Sequence, residues 1–245
     1  MSLAQTTKRV FRLCAEAYLR QDRHWRSNRT LIEPLLHSCS PRAILDAGCG
    51  PGWHLAWLAD SCSRGWSITG VDYCEEMLQL ARERIGQNHP LEGIRILYGD
   101  IRNLRFEDGC FGLVLCLNNT LGNICGDSAD SASTERDKVL VELKRVLAPQ
   151  TGILVLSVYG RNGLSPTRPY GSVFVLDEER SHLDTGDLVV RYYSPPRTPQ
   201  EGVPYYSHWF TSEEVRSVLT KAGLEIVRLE ESGSRIIAVS KRSET

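Results

Sequence analysis

An acid and three glycines alternate at Asp46, Gly48, Gly50 and Gly52, a spacing suited to holding a ligand against bare backbone. Glycines at such positions let the chain turn sharply and approach a ligand that a side chain would exclude. A dinucleotide fingerprint asks for G-x-G-x-x-G with a pyrophosphate on the following helix. Here the third glycine comes one residue early, position 53 is Trp, and Asp46 stands two residues before the first glycine. A carboxylate there would repel a pyrophosphate and welcome a cation. Two further acids end short apolar runs: Asp72, twenty residues after Gly52, and Asp100 after Gly99. An acid at the first of these points can accept the hydroxyls of a ribose. Among groups able to move a proton, His208 stands out as the base that a hydroxyl substrate would need. Its neighbours Trp209 and Phe210 suit a core-edge histidine equally well.

These residues need a scaffold, and the hydrophobic pattern supplies one. Apolar runs at 43–45, 67–71, 94–98, 111–117 and 152–157 read as buried strands, with helical stripes between them. The stripes are expected at 4–20, at 29–38 despite Pro34, from Trp53, over 74–86, and over 134–147 with Thr134 and Asp137 as its start. Thr211-Ser212-Glu213-Glu214 opens a last helix that Gly223 stops. Two strands, 224–230 and 235–240, then form a terminal hairpin around Glu231-Ser232-Gly233-Ser234. The expected fold class is α/β: a Rossmann-like, seven-stranded, mostly parallel sheet with helices on both faces and an antiparallel C-terminal hairpin. The expected organisation is a helical cap over 1–40, a core over 41–160, a lid insertion over 161–207 and a completing helix and hairpin over 208–245. The insertion holds Arg161, Arg168, a strand near 187–194 and a Pro195–Pro199 turn, and it leaves the end of the fifth strand, where it can roof a pocket whose other side the first 40 residues can close.

The loop Asp46–Gly52, with its ordered acids and strands, resembles that of class I S-adenosylmethionine-dependent methyltransferases, over roughly 41–160 and again 207–241. The resemblance implies S-adenosylmethionine as cofactor and S-adenosylhomocysteine as product. It implies a cofactor site made of Asp46, Gly48, Cys49, Gly50, Gly52, Asp72 on the ribose, Tyr73, Met77, Asp100 and Ile101 about the adenine, Leu117 and Asn118. Asn119-Thr120-Leu121 is similar to the Asn-Ser-Leu segment of glycine and sarcosine N-methyltransferase-like enzymes, with Asn118 where they have glycine. That favours an amine acceptor. Methyl transfer is an in-line displacement asking mainly for alignment and exclusion of water. His208, Asn119 and Tyr206 are the catalytic candidates, with Tyr205 as a further pocket wall. The alternatives are an O-methyltransferase using His208 as base, or a methyltransferase-like subunit acting through a partner; an NAD-dependent oxidoreductase is disfavoured by the early third glycine. The motif of amino-methylating DNA methyltransferases is absent.

Composition bounds the partners. The 245 residues carry a net charge of −1, which gives no basic stripe for nucleic acid. No apolar run approaches the roughly 18 residues of a membrane span, and no secretory signal is visible. The eight cysteines form no C-x-x-C pair and no metal-like spacing with histidine, so no metal is expected and a reduced, cytoplasmic setting is. A small-molecule acceptor is the expected partner, with a homodimer left open.

Overall fold

The computed structural model describes residues 1–15, 23–62, 65–88, 93–129, 131–164, 174–193 and 202–243. Its frame is a seven-stranded sheet of order β3-β2-β1-β4-β5-β10-β9. The strands are β1 (Ala43–Ala47), β2 (Ser67–Asp72), β3 (Ile94–Tyr98), β4 (Leu113–Cys116), β5 (Ile153–Tyr159), β9 (Leu224–Ser232) and β10 (Arg235–Arg242). The first five pair in parallel, and β10 runs antiparallel to both β5 and β9. The expected sheet and terminal hairpin are both present.

Neighbouring residues of the central strands point to opposite faces, and both faces are covered, which is why these strands read as unbroken apolar runs. Leu45, Val114, Leu154 and Ile236 pack beneath helices α5 (Ala132–Val146) and α6 (Ser212–Lys221). Ile44, Leu113, Val155 and Ile237 meet α3 (Trp53–Ser61) and α4 (Glu75–Asn88) on the other face. Helix α6 opens with the expected capping box, Thr211 with Glu214. Helix α5 does not open at Thr134. It starts at Ala132 after Ser131, and no side chain caps it.

At the N-terminus, α1 covers Leu3–Leu13, shorter than the 4–20 stripe, whose remainder from 16 on lies outside the described residues. Helix α2 spans Arg23–Ile32, earlier than expected, and continues as a 3₁₀ turn over Glu33–His37. Pro34 explains the change, since its ring cannot donate to the α-helical ladder. The insertion forms a second, antiparallel sheet of β6 (Phe174–Leu176), β7 (Asp187–Tyr192) and β8 (Val203–His208). Arg168 and the Pro195–Pro199 turn lie outside the described residues.

Helix α1 is docked on this second sheet and on the loop before α5. Its Leu3 and Ala4 amides donate to Asp127 O (3.2 Å) and Gly126 O (3.1 Å), and Thr7 Oγ1 accepts from the Tyr206 amide (3.0 Å). Among the described residues, no helix is long and apolar enough to cross a membrane, and no His/Cys/Asp/Glu group is arranged to hold a metal.

Candidate active site

Strand β1 has β2 on one side and β4 on the other, so the chain reverses its winding there and leaves a crevice at the carboxyl edge. A cavity of about 360 Å³ opens at that place. Three loops supply its floor: the glycine turn after β1, the Asp72 turn after β2 and the Asn118 turn after β4.

The glycine turn is bound to the end of β2, with the amides of Gly48 and Cys49 donating to Val71 O at 2.8 and 3.0 Å. Its glycines serve different ends. A Cβ on Gly48 would collide with Thr120, and one on Gly52 would lie 2.8 Å from Ala81 Cβ of α4. These two let elements pack closely. Gly50 has φ +51°, and a Cβ there would meet nothing within 4 Å. Its open space is the cavity itself, which is the cradle a ligand lying on backbone requires.

Asp72 is 8% exposed and ties two elements together. One carboxylate oxygen accepts from the Gly50 amide (2.9 Å) and the other from the Cys74 amide (2.9 Å) at the start of α4. Burial pushes its pKa up, and these N–H groups restrain the rise. Asp46 lies behind the glycine turn at 1% exposure, and its Oδ2 has no hydrogen-bond partner. Burial, then repulsion from Asp72, raises Asp46 to about 7. His54 Nδ1 is 4.0 Å from that oxygen, and burial lowers this imidazole to about 4. Asp72 and a neutral histidine thus give this end of the cavity an electron-rich lining, with Asp46 buried behind it.

At the other end, Asp100 is gripped by Arg102 through side-chain contacts of 2.6–3.0 Å and a backbone amide at 2.9 Å. Burial opposes its ionisation, but Arg102 holds it below the usual carboxylate range. Lys8 of α1 donates to Tyr98 OH at 2.8 Å and sits 5.5 Å from the Tyr73 ring centre.

Of the residues expected to hold a cofactor, Gly48, Cys49, Gly50, Asp72, Tyr73, Met77, Asp100, Ile101, Leu117 and Asn118 line this cavity together. Asp46 and Gly52 stand behind its wall. None of the three catalytic candidates lines it. His208 Nδ1 lies 2.8 Å from Asp187 Oδ1, Nε2 lies 3.8 Å from Glu214 Oε2, and the ring packs edge-on against Phe210. Tyr206 is fully buried, donating to Asp187 and accepting from Arg136 Nη1 at 2.7 Å. Asn119, also fully buried, donates to Ser207 Oγ (3.1 Å) and accepts from the Tyr159 amide (3.0 Å). All three cross-link the second sheet to the core.

Insertion residues 165–173 and 194–201 lie outside the described residues. Among the described residues the roof comes from α1, through Ala4, Gln5, Thr7, Lys8 and Phe11, while the second sheet supports α1 from behind. Sequence reasoning missed Lys8, Trp53, Tyr98, Arg102, Asn123 and Tyr159 as lining residues. Only their neighbourhood to the recognised loops could have marked Trp53, Tyr98 and Arg102.

Comparison with known proteins points the same way as the geometry. A sequence profile described as a methyltransferase domain matches residues 44–150. The dTDP-3-amino-3,6-dideoxy-alpha-D-glucopyranose N,N-dimethyltransferase of Streptomyces fradiae is 31% identical over 204 residues, 78% of this chain and 72% of that one. A demethylmenaquinone methyltransferase of Lactiplantibacillus plantarum is 30% identical over 135 residues, 55% of this chain. The chain spans about half the length of curated relatives of this kind, 51% in that case. The CcbJ methyltransferase from Streptomyces caelestis shares the fold, with a TM-score of 0.64 at 20% identity over 86% of this chain and 89% of that one.

Proposed function

We propose, from the premise that this chain belongs to the class I S-adenosylmethionine-dependent methyltransferases, that it transfers the methyl group to an amine nitrogen of a small molecule. The cofactor would supply the electrophilic methyl on a sulfonium. The residues present fit it: Gly50 leaves open space where a ligand must meet backbone, and Asp46 keeps a buried oxygen unpartnered. In this reading Asp72 takes the ribose, Asp100 and Ile101 border the adenine, and Asp72, with Asp46 buried behind it, favours the cationic end.

One observation carries the choice of amine. The histidine and tyrosine best suited to deprotonate a hydroxyl, His208 and Tyr206, are engaged with Asp187 outside the cavity lining. His54 does line the cavity, but with a pKa near 4 it is a weak base. An amine that arrives neutral already has its lone pair, whereas an alcohol or phenol needs its proton removed. The N,N-dimethyltransferase likeness supports the same acceptor class. The eight thiols, all free, fit a reducing, cytoplasmic setting.

The test is transfer of label from methyl-labelled S-adenosylmethionine to two panels, primary and secondary amines including amino sugars, and phenols with alcohols. Label on amines is expected. Label confined to hydroxyl compounds, or no transfer to either panel by cofactor-loaded protein, would overturn the reading.

A further inference from the structure

Asn28 of α2 is 1% exposed and meets three side chains from distant parts of the chain. Arg235 Nη1 of β10 donates to Asn28 Oδ1 at 3.0 Å. The Asn28 amide nitrogen lies 3.1 Å from His54 Nε2 and 3.2 Å from Asn118 Oδ1. His54 and Asn118 both line the cavity, and Asn118 is exposed there with φ +54°.

The proton positions follow from donor chemistry. A guanidinium only donates, so the Asn28 atom it touches is the carbonyl oxygen. The opposite atom is then the NH₂ group, whose two protons serve His54 and Asn118. His54 Nε2 must accept, so a neutral His54 carries its proton on Nδ1, the nitrogen 4.0 Å from Asp46 Oδ2. An N–H therefore faces the unpartnered carboxylate oxygen, where a lone pair would be repelled. Asn118 likewise spends its oxygen on Asn28 and keeps its NH₂ for the cavity. An amide NH₂ donates, so its partner there is a carboxylate or carbonyl oxygen.

We propose that Asn28 is a positioning residue that fixes His54 as the Nδ1-protonated tautomer and turns the Asn118 NH₂ toward the carboxylate of the cofactor's amino-acid half. This rests on the cofactor reading above. Arg235 and Asn28 thereby link the C-terminal hairpin to the glycine-loop helix, although neither belongs to a recognisable motif.

The experiment has two readouts. The first is ¹⁵N spectroscopy of histidine-labelled protein, with the His54 ring assigned by difference from His54→Gln. Wild type should show Nδ1 protonated and Nε2 bare. Asn28→Asp, which offers oxygen where the NH₂ stood, should reverse that tautomer. The second is titration with S-adenosylhomocysteine and with 5′-methylthioadenosine, which lacks the amino-acid half. Asn28→Asp should weaken the first by about tenfold, the worth of one hydrogen bond to a charged group, and the second by less than about twofold. An Nε2-protonated His54 in wild type, or equal loss for both nucleosides, would overturn the assignment. Failure of wild type to bind either nucleoside would instead sink the cofactor reading, and the wild-type tautomer would still judge the Asn28 network, even if the variant did not fold.

Discussion

Two clusters of buried polar side chains share this fold and differ in one respect: whether their bonding capacity is used up. Around the glycine turn, His54 and Asp72 line a cavity, and Asp46 lies buried behind its wall with Oδ2 unpartnered. At the second sheet, Arg136, Tyr206, Asp187, His208, Glu214 and Arg161 form a continuous chain of hydrogen bonds and ion pairs. Buried polar groups left unsatisfied are costly, and they persist where something else completes them. The second cluster contains the residue types that look catalytic in sequence, yet they complete one another. The first contains plainer residues with unfinished bonds. Chemistry is expected where bonding is incomplete.

The sharpest way to break this comparison is Gly50→Val. Its side chain would enter the cavity, so S-adenosylhomocysteine affinity should fall at least about a hundredfold, or 2.7 kcal/mol. Stability should change by only about 1–2 kcal/mol, the cost of a left-handed backbone for a residue with a Cβ. Calorimetry and thermal melts separate the two. The reverse pattern is expected for His208→Ala: a loss of about 2–3 kcal/mol in stability, because Asp187 and Glu214 lose their shared partner, with nucleoside affinity kept. A large affinity loss in a folded His208→Ala protein would erase the distinction between the clusters.

Asp72→Asn keeps the shape but replaces one accepting oxygen with a donor facing a backbone N–H. Cofactor affinity should fall by roughly 1.5–3 kcal/mol, about ten- to a hundredfold.

A further contrast lies in pH dependence, where Asp46 and Glu214 have opposite signs. Asp46 titrates near 7 when folded and about 4 when unfolded, so the folded state holds the proton more tightly. Stability from this group is therefore lost as pH rises from about 4 through 7. Glu214 works the other way: burial opposes its ionisation, but His208, the Thr211 amide and Arg161 bring it down to about 2. Its contribution is present above about 4.5 and lost as pH falls toward 2. His54, lowered to about 4 by burial, opposes Asp46 over much the same range, so the difference between Asp46→Asn and wild type is the informative quantity. That difference should grow in favour of the variant from pH 4 to 7. A flat difference would show that Asp46 is not held in an unsatisfied site.

The glycine turn and Asp72 could be read from the sequence because strand, turn and helix are contiguous, and each residue's conformational demand is local. The same holds for the capping box at Thr211. What could not be read depends on where distant elements dock. Lys8 and Phe11 reach the cavity because the Thr7 hydroxyl accepts from the Tyr206 amide, a pairing across 199 positions. Asn28 meets Arg235 across 207. Conversely, nothing local in Tyr205–Phe210 reveals that Asp187 and Glu214 occupy His208, so an unspent histidine and a spent one look alike in sequence.

The most direct measurement is calorimetric titration of the wild-type protein with S-adenosylmethionine, S-adenosylhomocysteine and NAD in parallel, repeated on Gly50→Val. Wild type should show saturable micromolar binding of the two sulfur nucleosides and none of NAD, and the variant should lose binding. Binding of NAD, binding of none of the three, or undiminished sulfur-nucleoside binding by Gly50→Val would contradict the cofactor reading.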